Sequence, residues 1–223
     1  SFYNDQRIKF HNFINYELKY DFSKIVWTDL FKKSLKNNEI FNDCEESEIC
    51  TSMYRPFCKQ QFYYRKNLLQ RTYQQLSVFP NGNVDNYVII VPGNGSSKTF
   101  SCLISDKIVD LNFLAAGAQC FPLYWYMPNE DTNLFTLDSK HNYVKNDGIT
   151  DYIYREFINK YNQNITKEDI FFYIYGFLHS NDYREYFEAD LKKSLPRIPI
   201  VDDYLTFVEF SDAGRKLADL HLN

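Results

Sequence analysis

The chain has 223 residues, with 25 Lys+Arg against 29 Asp+Glu and a formal net charge of −4; 44% of its residues are hydrophobic and 18% aromatic. That length and apolar content suffice for one large or two small domains with a packed core and exclude a disordered chain. The longest apolar runs, Tyr87 to Pro92 and Ile170 to Leu178, fall far below the roughly 20 residues of a membrane-spanning helix. The acidic balance excludes nucleic-acid binding by bulk charge attraction alone.

The first residues, SFYNDQRIKF, carry neither an initiating Met nor a basic-then-apolar signal pattern, and the closing LADLHLN stops without punctuation after a helical stretch, so the chain reads as a piece of a longer polypeptide. Cysteines stand at 44, 50, 58, 102 and 120 with no CxxC pair. That pattern suits neither a zinc site nor a complete disulfide framework, and a reducing cytoplasm is the expected location.

In chain order, Phe22, Ile25, Val26, Leu30 and Phe31 predict an amphipathic helix over Asp21 to Leu35, followed by a solvated acidic loop, NNEIFNDCEESE. From Tyr54 to about Tyr126 the pattern turns to short β-like runs: QFYYR, QQLSVFP, VDNYVIIV, KTFSCLIS and AQCFPLYWYM. Pro80-Asn81-Gly82-Asn83, Pro92-Gly93-Asn94-Gly95 and Gly117 separate them. Pro128 to Gly148 reads as a polar connection. Beyond it Thr150 predicts a capped helix, Thr166 with Asp169 a capping box, and Ser180 or Asn181 a third helix with Tyr183, Phe187 and Leu191 on one stripe, stopped by Pro196. Ser211 is expected to cap a short last helix bearing Leu217 and Leu220. The fold class is α+β: a small mixed or antiparallel sheet in the middle, a helical C-terminal part and a helical N-terminal linker.

No catalytic motif stands out. PGNGSSKT, Pro92 to Thr99, imitates a phosphate loop, but Ser97 and Pro92 occupy the positions that need glycine, and a strand-like run follows where a helix is required, which favours a hairpin turn. IPIVDD, Ile198 to Asp203, imitates a metal-binding strand but contains Pro199. Asp131, Asp138 and Lys140 form a D…DxK pattern that a metal-dependent nuclease would use, set in a polar loop. His11, His141, His179 and His221 have no metal-ligand spacing, and His179, at a helix end, reads as a cap or a satisfied partner.

Charge is segregated along the chain. Five acidic residues lie between Glu39 and Glu48, whereas Ile49 to Val84 holds Arg55, Lys59, Arg65, Lys66 and Arg71 and no acid. YRPFCKQQFYYRKNLLQR, Tyr54 to Arg71, interleaves base-reading and phosphate-binding side chains with aromatics, and Asn94 to Lys98 adds hydroxyls, an amide and a Lys in a glycine turn. DNA contact or packing at a domain junction both fit these residues.

The ordered elements YRPFCKQ, YVIIVPG, FSCLISD, QCFPLYWY, DIFFYIYGFLHSNDYREYF, LPRIPI and AGRKLADLHLN, over Trp27 to Asn223, resemble the C-terminal specificity region of type ISP single-polypeptide restriction-modification enzymes. The resemblance implies a non-catalytic module for recognising an asymmetric double-stranded DNA site. It would act beside an adenine methyltransferase, a helicase-like translocase and a nuclease of the same parent chain. Residues 1–50 would then be the linker or tail of the methyltransferase part, and 51–223 the target-recognition domain, with a β-rich half 51–127 and a helical half 149–223. No cofactor or metal is expected for this chain, whereas the parent would use S-adenosylmethionine, ATP and Mg²⁺. Chosen for donor chemistry, the DNA-binding candidates are Arg55, Lys59, Gln60, Arg65, Lys66, Asn94, Ser96, Ser97 and Lys98. YIYGFLHSNDYREYF and LPRIPI read as structural signatures. The alternatives are a domain that packs on the methyltransferase without reading bases, or an autonomous nuclease using Asp131, Asp138 and Lys140.

Overall fold

The structure, a computed structural model, describes residues 1–12, 20–42, 45–65, 68–69, 71–82, 84–96, 98–115, 117–129 and 143–223. The chain divides into two units, one of Ser1–Cys50 with Tyr63–Tyr73 and one of Thr51–Phe62 with Gln74–Asn223.

The first unit holds helices α1 (Phe2–Asn12) and α2 (Asp29–Lys36) and a 3₁₀ turn, Glu46–Glu48. The helix expected over Asp21 to Leu35 forms only in its second half. Asp21 instead accepts hydrogen bonds from the Ser23 backbone N–H and hydroxyl, a local turn that competes with the helix. Thr28 then caps α2 through Phe31 N–H (3.2 Å). Tyr3, Trp27 and Leu35 are buried under Phe2, Phe10, Tyr20, Ile25, Phe31 and Phe41, which makes an aromatic core local to this unit. The Tyr3 hydroxyl donates to the Glu39 carbonyl (3.1 Å). Within the expected acidic loop, Glu45 and Glu48 cap the 3₁₀ turn reciprocally, and Glu48 accepts from Tyr63 (3.0 Å) and pairs with Arg65 (2.8 Å).

The second unit holds most of β1 (Ile49–Arg55) and of β2 (Cys58–Tyr63), then α3 (Gln75–Val78), β3 (Val88–Val91), β4 (Leu103–Ser105), β5 (Ile108–Val109), β6 (Gln119–Pro122), β7 (Tyr124–Pro128) and β8 (Tyr143–Asp147). Three small sheets result, in the orders β2-β1-β5, β4-β3-β6 and β7-β8. β5 runs parallel to β1, and the pairs around β3 and within β7-β8 are antiparallel. All four residues of β3 are buried, which suits an unbroken aliphatic run between two partners. AQCFPLYWYM is two strands and not one, because buried Leu123 leaves the ladder, donating to Tyr87 O (2.8 Å) and accepting from Gly148 N–H (2.7 Å). β8 lies within the stretch expected to be a polar connection. QQLSVFP folds as α3 and not as a strand: side chains satisfy the surrounding carbonyls, Gln75 donating to Val109 O (2.9 Å) and Asn86 to Val78 O (3.0 Å), so no ladder is needed.

Three helices and a pair of short ones close the fold: α4 (Asp151–Tyr161), α5 (Lys167–Phe177), α6 (Asn181–Tyr186), α7 (Glu188–Leu191) and α8 (Tyr204–Leu222) account for the C-terminal part. Thr150 caps α4, Thr166 and Asp169 form the capping box of α5, and Ser180 caps α6. The third helix divides at Phe187 (φ −104°, ψ 18°), which ends α6 and opens α7. The last helix is 19 residues long and opened by Asp203, not Ser211. Ser211 is buried in its middle and donates to the Asp169 carbonyl (3.0 Å), so the hydroxyl ties two helices together where it was expected to start one.

α5 and α8 touch backbone to backbone. A Cβ on Gly176 would lie 2.1 Å from Phe210 O, and one on Gly214 2.0 Å from Phe172 O. This contact brings Phe172, Tyr175 and Ala218 into the core over β3 and β4, and Tyr173 and Phe207 into a second cluster with Phe157 and Tyr161. Ile198 to Asp203 forms no strand; its carbonyls accept from Tyr173, Tyr161 and Lys160 at 2.6, 2.6 and 2.9 Å. The whole is α+β, with small sheets in the middle and a helical C-terminal part.

Candidate nucleic-acid interface

Arg55, Lys59 and Gln60 share one hairpin. Pro56 and Phe57 link β1 to β2, Pro56 supplying a fixed φ and Phe57 standing at φ 61°. β2 is the outer strand of its sheet, and Cys58, Lys59, Gln60 and Gln61 are all exposed, so side chains on both of its faces meet solvent. Ser52 Oγ donates across the ribbon to Gln60 O (3.4 Å). A two-stranded ribbon of this kind has the width to enter a DNA major groove. Its amides offer paired donor and acceptor atoms, and Lys59 offers a cation for phosphate.

Arg55 is less free than its position in the motif implies. Its Nη1 donates to Asp110 Oδ1 and to Tyr54 O, each at 2.6 Å, and the guanidinium lies over the Tyr54 ring, 4.1 Å from its centroid. A phosphate would have to replace the Asp110 carboxylate to use this cation. Arg65 belongs to the first unit, held by Glu48 (2.8 Å) and Asn42 O (3.2 Å). Asn94, Ser96 and Lys98 sit on the separate connection between β3 and β4. There Gly95 (φ 75°) turns the chain and donates to Lys192 O (3.3 Å), and Lys98 N–H donates to Ser96 Oγ (3.1 Å). Asn94 and Lys98 are exposed. Lys66 and Ser97 lie outside the described residues, as do Asp131, Asp138, Lys140 and His141. The structure thus places three of the candidates on the hairpin and three on the turn, and Arg65 belongs to the first unit.

Sequence reasoning overlooked Gln61, exposed beside Gln60, and Phe57, exposed at the hairpin tip. The available signal for Phe57 was its place after Pro56, the turn position that usually demands glycine. The ring stands 6.3 Å from that of His221 on α8. His221 is hydrogen-bonded to the Tyr175 hydroxyl, and Tyr175 packs edge-on against His179 at 4.9 Å. Arg184 donates to His179 Nδ1 (3.1 Å). Burial, then the charges of Arg184 and His221, push the His179 pKa down to about 4, so this imidazole is neutral at pH 7. Among the described residues no group of three or more His, Cys, Asp or Glu could hold a metal ion, and no helix is long and apolar enough to cross a membrane.

The chain belongs to the type ISP C-terminal specificity domain family, whose model matches residues 1–223. Among solved structures it is similar to a DrdV–DNA complex determined by cryo-electron microscopy, with 30% identity, a TM-score of 0.79, and coverage of 99% of this chain and 20% of that one. It is also similar to LlaBIII, an ATP-dependent type ISP restriction-modification enzyme bound to DNA (30% identity, TM-score 0.77, 100% of this chain and 14% of that one). A third is a nuclease-deletion mutant of the type ISP enzyme LlaGI in complex with a DNA substrate mimic (28% identity, TM-score 0.77, 99% and 19%). This chain therefore spans a fifth or less of each of those chains. A search of curated proteins gives no match.

Proposed function

We propose that this chain is a non-catalytic, sequence-specific recognition module for double-stranded DNA, working within a longer restriction-modification polypeptide. In that reading it presents the target site to an adenine methyltransferase, which uses S-adenosylmethionine, and licenses restriction by translocase and nuclease parts that use ATP and Mg²⁺. The carrying observation is the β1–β2 hairpin, an outer ribbon with Lys59, Gln60 and Gln61 exposed, in a family whose solved relatives are held on DNA. Lys59 and Lys98 set register on phosphates. Gln60, Gln61 and Asn94 have the bidentate amides that suit adenine. Arg55, Arg65, Lys66, Ser96 and Ser97 are further donors for DNA in this reading, Arg55 by exchanging Asp110 for phosphate. In the same reading residues 1–50 join the module to the methyltransferase part.

Fluorescence anisotropy of a labelled mixed-sequence duplex tests this. Binding should weaken steeply between about 50 and 200 mM salt, and Lys59→Ala should lower affinity and reduce the slope of log K on log salt by about 1. Affinity and slope left unchanged by both Lys59→Ala and Lys98→Ala would remove the hairpin and the turn from the interface.

A second reading has one observation in its favour. The β7–β8 ribbon exposes Trp125, Met127 and Val144, an apolar strip suited to packing on another domain of the parent.

A further inference from the structure

We propose that Phe57 is a wedge, inserting its ring at a base step when the hairpin enters duplex DNA. The inference rests on the DNA-recognition reading above and adds a residue and a mode of contact to it.

The backbone argument comes first. Phe57 adopts φ 61°, a left-handed conformation that glycine or asparagine accepts readily and a bulky aromatic residue resists. Strain of this kind persists only where the side chain returns something. Packing within the domain does not supply that return: the residue is 67% exposed, and among the described residues its ring meets one other ring, His221 at 6.3 Å. The strain therefore holds an apolar ring out into solvent at the extremity of a ribbon.

The surroundings say what the ring meets there. Lys59 follows it on the exposed strand, Arg55, paired with Asp110, precedes it, and the sequence from Ile49 to Val84 contains no acidic residue. A cationic, amide-bearing ribbon with an apolar tip matches the chemistry of side chains that unstack a base step while their neighbours hold the phosphates. The tip is also stiff. Pro56 fixes the backbone of the residue before the ring. A wedge must not fold back when pushed, and a proline beside it limits that freedom.

The test compares two 20-base-pair mixed-sequence duplexes, one intact and one with a central abasic site, by anisotropy with the 223-residue chain. An interrupted stack is easier to enter, so the wild type should bind the abasic duplex about tenfold more tightly than the intact one. Phe57→Gly should bring that ratio close to one while the domain melts no lower, and by up to about 3 °C higher, because the backbone strain is relieved. Phe57→Asn, equally at ease at positive φ, should do the same where glycine loosens the turn. A ratio unchanged in both variants overturns the wedge. So does a melting temperature lowered by several degrees in both, which makes Phe57 a packing residue. A wild type that binds both duplexes equally removes the wedge and leaves DNA recognition standing; a wild type that binds neither removes both.

Discussion

The α5–α8 pair and the β1–β2 hairpin treat their side chains in opposite ways. In the helix pair the polar groups at the contact are spent internally. Ser211 bonds the Asp169 carbonyl, Arg215 bridges Glu168 (2.9 Å) and Asp169 (2.7 Å) while lying over the Phe172 ring, and the tyrosine hydroxyls end on carbonyls or on His221. In the hairpin, four consecutive side chains of β2 are exposed, and a strained Phe57 is displayed in full view of solvent. The helical motif is there to be rigid, and the ribbon is there to be met. A motif recognisable in sequence can belong to either kind, and only burial separates them.

Substitutions can break that contrast from the rigid side. The largest effect belongs to Gly214→Val: its Cβ would lie 2.0 Å from Phe172 O, a backbone atom that cannot swing away, so the helices must separate. Overpacking of this kind costs about 3 kcal/mol, a fall in melting temperature of roughly 6 to 12 °C by calorimetry. A Gly214→Val domain that melts like the wild type would show that the crossing is looser than described. Arg215→Ala comes next. It removes two partly exposed ion pairs and the stacking on Phe172, and screening by solvent keeps the loss to about 1–2 kcal/mol in urea denaturation. High salt should shrink this difference, whereas it should leave the glycine effect unchanged.

How much of this was legible depended on whether local chemistry decided the outcome. Caps were read directly: Thr150, the Thr166–Asp169 box and Ser180 start helices in the structure because side-chain oxygens satisfy amides within three residues. Residues with a choice of partner were misread. Ser211 has the same hydroxyl, but its acceptor is Asp169 O, 42 positions away. QQLSVFP carries a strand's composition, but the partners that settle it as a helix are side chains of Gln75 and Asn86 reaching carbonyls 34 and 8 positions away. AQCFPLYWYM was seen as one strand because nothing local marks Leu123 as the point where the chain changes sheets. At the candidate interface, sequence singled out the basic hairpin but not that Asp110, 55 residues on, engages Arg55, nor that the residue after Pro56 is strained. Distant pairing is invisible to a reading built on spacing.

The smallest effect separates the two regions by pH. Burial holds His179 neutral down to about 4, against an ordinary value of 6.5, so the unfolded chain takes up a proton in that interval and the folded one does not. Its contribution to stability is complete above about 6.5 and is lost as pH falls through the window to about 4; His221, also lowered by burial, acts in the same direction. The carboxylates act lower. At Asp169, burial is outweighed by hydrogen bonds from Thr166 and Arg215, so its pKa lies below 3.8 and its loss begins where that of His179 ends. Calorimetry from pH 7 to about 4.5 should therefore show the wild-type melting temperature declining by a few degrees. His179→Gln, which keeps an acceptor for Arg184 and cannot be protonated, should flatten that decline, and Lys59→Ala on the hairpin should leave it unchanged. An equally steep decline in His179→Gln would mean that the imidazole already takes its proton within the fold, and that the helix pair is more open to water than its buried aromatic rings imply.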